Sequence, residues 1–271
     1  MSNGPIKKFP ADDITKYFAK RNDLRSMAYV SDAELSQYVW VLDTNVFIED
    51  EYYNKCLRIV NSSNFLISQD VIDELTRGTP VQKDAQWERA RQLALVIQEK
   101  HNDKIFQKPE PQLEKELFRL SGLMTKPHVE KIILQNFQQI YDSFKKSWDK
   151  QQALDNFIIG IDKRLNDSLR RDFESRARGL IQPDKISHII DFFLKNMKIT
   201  LRNIFNTIMK YSSLDIENCK RFMIKHFFRP VDSDIRIAAS YIEHHKPRHH
   251  LGSNDKDVVE LIILHEYRMP A

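Results

Sequence analysis

An acidic residue stands at or just beyond the end of each of four apolar runs in this sequence: Asp43, Glu74, Asp234 and Asp255. If those runs build a parallel sheet, the carboxyl ends of the strands lie at one edge, where such sheets form their functional crevice. Carboxylates gathered there repel one another, and they are stable together only around a divalent cation or with some of them protonated. The pattern therefore predicts an acidic pocket that binds cations.

Short apolar strands alternating with helices must position these acids. Residues 38–42 and 64–68 are typical of buried strands, and shorter strands are predicted at 104–106 and 249–252. Helices are predicted after each of the first two strands, while the apolar run from 258 to 264 fits a helix or a strand. The alternation favours an α/β fold whose central parallel sheet is covered on both faces.

The middle of the chain has a different pattern. Apolar residues recur three and four positions apart over 129–148, 154–173 and 186–209, which predicts long amphipathic helices packed as a bundle. Residues 112–229 hold 22 lysines and arginines against 14 acidic residues, a balance of +8, whereas the whole chain carries +4. A basic surface beside an acidic pocket suits a polyanionic substrate, although a solvated helical face explains the charge equally well.

The composition is that of a globular protein, with 41% hydrophobic and 30% charged residues. No apolar run approaches the roughly 18 residues that span a bilayer, and no signal peptide is apparent, so no membrane association is expected. Cys56 and Cys219 lie in unrelated contexts, which favours a reducing cytoplasm over a disulfide framework. The predicted organisation is an N-terminal helical segment (1–35), a discontinuous α/β core (36–108 and 225–271) and a basic helical insertion (109–224).

Four motifs occur in a fixed order: VLDTNVFI, VIDEL followed by Arg77, DIRIAA and SNDKD. Together they resemble the PIN-domain nucleases. The resemblance covers roughly 38–100 and 230–264, about half of the chain. The long segment between the second and third motifs departs from the compact family pattern, and the strand that usually follows the fourth motif is not evident. The resemblance implies a PIN-like three-layer α/β/α core carrying a large all-α insertion.

The resemblance also implies the residues of the site. Asp43, Glu74, Asp234 and Asp255 would be catalytic and would bind Mg²⁺ or Mn²⁺, with Asn45, Asp232, Ser253 and Asp257 as auxiliary residues. Asn45 would orient Asp43 or contact phosphate, although an asparagine in a turn often satisfies only backbone groups. Asp70 fits a helix N-cap better than a ligand. The candidate substrate contacts are Arg77, Arg236, Lys246, Arg248 and Lys256, and Arg77 could instead pair with an acid.

The segment from His244 to His250 holds four histidines, a lysine and an arginine. We expect a basic loop beside the site that contacts backbone phosphate. A plain solvated loop and a metal site are the alternatives, and the metal site is the weakest because adjacent histidines lack ligand spacing.

These features imply a Mg²⁺- or Mn²⁺-dependent endoribonuclease, and related families include toxins and defence nucleases. The implied partners are RNA or single-stranded DNA, an inhibitory or regulatory protein, and a second copy of the chain. The alternatives are a structure-dependent DNA nuclease and a catalytically silent PIN-like module that binds nucleic acid or protein.

Overall fold

The structure is a computed structural model that describes residues 21–24, 27–77, 85–106, 109–124, 150–195, 232–253 and 255–270, together with residues 131, 135 and 142. Several predictions lie outside the described residues: the first part of the N-terminal segment, the helix end at Gly78 to Pro80, most of the helix predicted over 129–148, and the part of the helix over 186–209 beyond residue 195.

A parallel sheet of four strands forms the centre of the described fold, as the alternating pattern predicts. The strands are β1 (Val39–Leu42), β2 (Phe65–Ser68), β3 (Ile105–Phe106) and β4 (His249–Gly252), in the order β3-β2-β1-β4. Every pair is parallel, and Trp40 of β1 is in register with Phe65 of β2 and His250 of β4. The last three residues of β1 are buried, as expected for a strand of a parallel sheet whose two faces are covered.

Helices connect and flank these strands. They are α1 (Asp32–Leu35), α2 (Asn45–Ile48), α3 (Asp50–Asn61), α4 (Gln69–Arg77), α5 (Ala85–Lys100), α6 (Pro111–Met124), α7 (Lys150–Ala177), α8 (residues 183–195), α9 (Asp232–His244) and α10 (Lys256–Glu266). The segment that the sequence leaves open between helix and strand is the helix α10. The α/β class is therefore confirmed. No helix in the described part of the chain has the length and apolarity to cross a membrane.

The chain divides into two compact units. The first comprises Met1–Phe118 and Val231–Ile262, and the second comprises Arg119–Pro230 and Ile263–Ala271. The second unit differs from the predicted insertion (109–224) at both ends, because it starts within α6 and also includes the last residues of the chain.

The second unit has an apolar core of its own. Phe173 of α7 and Phe193 of α8 are fully buried and meet edge to face with ring centroids 5.4 Å apart. Part of the basic excess is neutralised locally, since Arg176 forms an ion pair with Asp172. An arginine held in this way contributes less to binding a polyanion than its sequence count suggests.

In the first unit, Lys55 of α3 fastens the N-terminal segment to the core. Its Nζ donates to the carbonyl oxygens of Met27, Ala28 and Val30 at 2.9, 2.9 and 2.7 Å. Three charge-assisted hydrogen bonds from one ammonium hold the backbone of this segment against α3. The segment is thereby held where Met27 packs against the end of β4.

Gly252 ends β4 at a place where a side chain does not fit. A Cβ there would lie 2.9 Å from Leu42 Cδ2, 3.1 Å from Met27 Cε and 3.3 Å from the Val41 carbonyl oxygen. We expect Gly252→Ala to lower the free energy of unfolding by about 1–3 kcal/mol, because overpacking forces the neighbours to shift. Urea unfolding of the full chain measures this.

Gly160→Ala in α7 is the matched control, since a Cβ there meets nothing within 4 Å. That change is expected to stabilise the chain by about 0.5–1 kcal/mol, as alanine favours a helix interior. A Gly252→Ala protein as stable as the wild type would contradict the close approach at β4.

Candidate active site

Asp43 lies directly beyond the carboxyl end of β1, and it is 4% exposed. Its backbone N–H donates to the Gly252 carbonyl at 3.0 Å, which extends the pairing of β1 with β4 by one residue. Its carboxylate accepts three hydrogen bonds: from the Thr44 N–H at 2.6 Å, the Asn45 side-chain amide at 2.7 Å and the Ser253 hydroxyl at 2.6 Å. The side chain is therefore held in one orientation at the sheet edge.

The electrostatic surroundings of Asp43 are acidic. Burial is the main cause that raises the pKa of Asp43 from 3.8 to about 7. The neighbouring carboxylates of Asp255 and Glu74 raise it further, against the hydrogen bonds from Ser253 and Thr44, which lower it. Two of the other three predicted acids thus act on Asp43, although the three come from separate segments of the chain.

Thr44 is a residue of the site that the sequence reasoning missed. Its Oγ1 donates to Glu74 Oε2 at 2.8 Å, and the threonine is 7% exposed. The bond joins the turn after β1 to α4 and fixes Glu74 relative to Asp43. A signal existed in the sequence, because a hydroxyl residue directly after the central acid is well placed to orient a second acid.

Ser253 connects Asp43 with the start of α10. Its hydroxyl donates to Asp43, and the same oxygen accepts the Asp255 N–H at 3.0 Å and the Asn45 amide at 3.4 Å. Asp255 precedes α10 and its Oδ1 accepts the Asp257 N–H at 2.8 Å, as an N-cap does. The predicted auxiliary residues Asn45 and Ser253 therefore both contact the central acid.

Lys256 and Asp257 have different surroundings from those predicted. Lys256 is 6% exposed and forms an ion pair with Asp257, so it does not present its ammonium to a substrate. Burial acts to lower the pKa of Lys256, but the carboxylates of Asp257, Glu260 and Asp255 outweigh it and raise that pKa. Burial raises the pKa of Asp257. The predicted substrate contact at Lys256 is replaced by an internal ion pair.

Asp234 lies in the first turn of α9, which packs against α4. It is not among the main causes of the raised pKa of Asp43, in contrast to Asp255 and Glu74. Two residues further on, Arg236 Nε lies 3.2 Å from Asp70 Oδ1, an ion pair that joins the start of α9 to the start of α4. The third motif therefore lies near α4, the helix that carries Glu74.

The start of α4 corrects the predicted N-cap. The helix begins at Gln69, and the Val71 N–H donates to Ser68 Oγ at 3.2 Å, so Ser68 caps it. Asp70 lies in the first turn, where its carboxylate pairs with Arg236. At the other end, Arg77 forms an ion pair with Asp73 at 3.0 Å, so of the two predicted roles, phosphate binding and pairing with an acid, the structure shows the pairing.

A cleft of about 420 Å³ lies between α6 and α9 in the first unit. It is lined by Pro111, Glu114, Lys115, Phe118, Asp232, Ile235 and Arg236. Asp232, predicted as an auxiliary site residue, is exposed here. Through Arg236 and its ion pair with Asp70, the cleft is connected to α4, the helix that carries Glu74.

The histidine-rich loop does not lie beside the site, which corrects the prediction. The Arg248 carbonyl accepts the Val39 N–H at 3.0 Å, at the start of β1, whereas Asp43 follows the end of that strand. A four-residue strand separates the two ends by roughly 13 Å. Lys246 and Arg248 are exposed, but they lie at the amino ends of β1 and β4, whereas Asp43 lies at the carboxyl ends.

The histidines themselves serve packing. The rings of His244 and Phe106 stack with centroids 4.2 Å apart, and the rings of His250 and Tyr38 lie 3.8 Å apart. His249 Nδ1 makes a hydrogen bond of 2.7 Å with the His244 carbonyl. These separate contacts favour a structural role for the segment over a zinc site.

The donor set at Asp43 can be compared with the needs of Mg²⁺ or Mn²⁺. Among the described residues, no three Asp, Glu, His or Cys side chains already surround a common point as ligands. The chemistry of the donors nevertheless fits: Asp43, Glu74 and Asp255 offer carboxylate oxygens, and Mg²⁺ retains several waters and needs few protein ligands. The carboxyl–carboxylate repulsion at Asp43 is also what a bound cation would relieve.

Comparisons with family models, with curated proteins and with solved structures find no match to this chain.

Proposed function

We propose that this chain is a PIN-like, Mg²⁺- or Mn²⁺-dependent nuclease that hydrolyses phosphodiester bonds of RNA. One observation carries the proposal: a buried carboxylate, Asp43, ends the central strand of a parallel sheet and is influenced by two further carboxylates, Asp255 and Glu74. Retaining a buried carboxylate beside two other acids costs stability, and arrangements of this kind are typical of sites that bind cations or transfer protons.

The chain's own residues support this chemistry by holding the acids in place. Asn45 and Ser253 both bind one carboxylate oxygen of Asp43, and Thr44 holds Glu74. Side chains fixed by such contacts are preorganised, so little motion is needed when a ligand arrives. A bound divalent cation would supply a water of lowered pKa and neutralise negative charge on the phosphate.

The cleft between α6 and α9 supports a role in holding the substrate. Lys115 contributes positive charge to its wall, beside the acids Glu114 and Asp232, while the guanidinium of Arg236 is already paired with Asp70. Phe118 contributes an aromatic ring that is 66% exposed. Single-stranded nucleic acids are bound by combinations of basic and aromatic side chains. The basic residues Lys246 and Arg248 do not line this cleft, and they lie at the amino ends of the strands.

A cleavage assay with the full chain tests the proposal. Labelled single-stranded RNA, single-stranded DNA and a branched DNA duplex are incubated with Mn²⁺ or with a chelator. We expect cleavage of the RNA that requires Mn²⁺ and stops in chelator. Cleavage of the branched DNA alone would favour the structure-dependent DNA nuclease, and binding of RNA without cleavage of any substrate would favour the catalytically silent module.

A further inference from the structure

A lysine is buried within the acidic part of the candidate site. Lys256 is 6% exposed, and its ammonium donates to the carboxylate of Asp257. The two side chains of this ion pair are 8% and 13% exposed. Lysine is almost never fully buried unless it is paired, so the surrounding carboxylates are what keep this ammonium inside.

The acids of the site fall into two sets that share Asp255. The outer set consists of Asp43, Glu74 and Asp255: Thr44, next to Asp43, holds Glu74, and Ser253 contacts both Asp43 and Asp255. The inner set consists of Asp255, Asp257 and Glu260, all close enough to Lys256 to influence it. Glu260 is 1% exposed and follows Lys256 by one helical turn of α10.

The two sets differ in their source of positive charge. The inner set contains the ammonium of Lys256, which donates to Asp257, whereas the carboxylate of Asp43 is held by hydrogen bonds from uncharged groups: the Thr44 N–H, the Asn45 amide and the Ser253 hydroxyl. A second cation beside Asp257 and Glu260 would be repelled by that ammonium at short range in a buried place. The outer set is thus where an external cation is favoured.

We propose that Lys256 is a positioning residue whose ammonium takes the place of a second metal ion. The site then binds one divalent cation, among Asp43, Glu74 and Asp255. Asp257, predicted from the sequence as an auxiliary ligand, serves as the counterion of Lys256 instead. This inference depends on the proposed function and extends it to the number of cations and to the identity of their ligands.

Metal binding by the full-length chain tests the inference without any measurement of cleavage. Isothermal titration with Mn²⁺ and the Mn²⁺ EPR signal give the stoichiometry and the Kd. We expect one Mn²⁺ per chain, and a Kd that changes by less than about tenfold in Asp257→Asn, below the usual effect of removing a group that supports a metal ligand. Two Mn²⁺ per chain, or a larger loss in Asp257→Asn, would overturn the proposal.

Asp103→Asn is the matched control, because Asp103 is an aspartate with a side chain 72% exposed that precedes β3. It should leave both the stoichiometry and the Kd unchanged.

Variants of Lys256 give a second, independent readout. Lys256→Met removes the ammonium, so a second Mn²⁺ is expected to bind and to produce the EPR spectrum of a spin-coupled pair. Lys256→Arg retains the positive charge and should still bind one Mn²⁺. A single Mn²⁺ in both variants would overturn the idea that the ammonium replaces a cation. If Lys256→Met does not fold, as judged by thermal melting, the Asp257→Asn result decides.

The outcomes separate this inference from the proposed function. Wild-type protein that binds no Mn²⁺, or binding that persists in Asp43→Asn, contradicts the proposed function itself. Binding that Asp43→Asn abolishes, together with two ions in the wild type, contradicts only the role of Lys256.

Discussion

Replacing Asp43 by asparagine is expected to reduce Mn²⁺-dependent cleavage of single-stranded RNA by about a thousandfold or more. Asparagine has nearly the same shape but no negative charge, so the change removes the central carboxylate while leaving the packing of β1. Stabilisation worth several kcal/mol is attributed to metal ions in such reactions, and each 1.36 kcal/mol of barrier corresponds to a factor of ten. Single-turnover rates with saturating enzyme measure the loss.

Two comparisons show whether the loss is chemical. Thermal melting of Asp43→Asn in chelator should occur at the same temperature as the wild type or higher, since one of several repelling acids is gone. Asp103→Asn, an exposed aspartate before β3, should cleave at the wild-type rate. Retained cleavage by Asp43→Asn would place the active site elsewhere in the chain.

In chelator, Asp43 is expected to make the folded chain less stable as the pH rises from about 4 to about 7. The pKa of Asp43 is 3.8 in an unfolded chain and about 7 in the folded one. Between these values the folded state retains a proton that the unfolded state has released, so rising pH favours unfolding. The contribution is fully present below pH 3.8 and lost above about pH 7.

The expected size follows from the gap between the two pKa values. Raising the pKa of Asp43 from 3.8 to about 7 lowers the free energy of unfolding by about 4 kcal/mol over the full pH range. Between pH 5 and pH 8 the loss is about 2–3 kcal/mol. Asp43→Asn lacks this titration. The stability of the variant relative to the wild type should therefore increase by that amount between pH 5 and pH 8, as measured by urea unfolding in chelator.

The comparison between variant and wild type removes the contributions of other groups. Burial acts to raise the pKa of Asp23, but Arg21 and Tyr241 outweigh it and lower that pKa, which gives a pH dependence of the opposite sign. This contribution is the same in both proteins and cancels. Mn²⁺ at pH 8 should stabilise the wild type and not Asp43→Asn, because a ligand stabilises only the state that binds it. If the free energies of unfolding of the two proteins changed in parallel with pH, the pKa of Asp43 would not be raised in the folded chain, and the prediction would be wrong.

The sheet and much of the site could be predicted from the sequence because both depend on local patterns. The apolar runs at 38–42 and 64–68 are typical of buried strands, and parallel strands bring their carboxyl ends together. Asn45 and Ser253 are auxiliary residues that the family resemblance implies, and both contact Asp43 in the structure. Thr44 escaped notice because its partner, Glu74, lies thirty positions away along the chain.

The predictions for the basic loop and for the cap of α4 are wrong because the position of a residue along the chain does not fix its neighbours in space. Arg248 precedes Ser253 by only five residues. The extended strand β4 lies between them, so Arg248 is at the amino ends of the strands and Ser253 is at the carboxyl ends. Asp70 had the residue type of a cap, but Ser68 occupied the capping position and left Asp70 to pair with Arg236.

The sequence by itself therefore determined the α/β class, the strands and the acids that follow them, because hydrophobic periodicity is a property of neighbouring residues. Only the tertiary structure decided which charges are paired inside. The sequence around Lys256 is typical of an exposed lysine. Its burial against Asp257 depends on how α10 packs once β4 is in place. Charge pairing is set by distance and by exclusion of water, and neither is encoded in any short stretch of the chain.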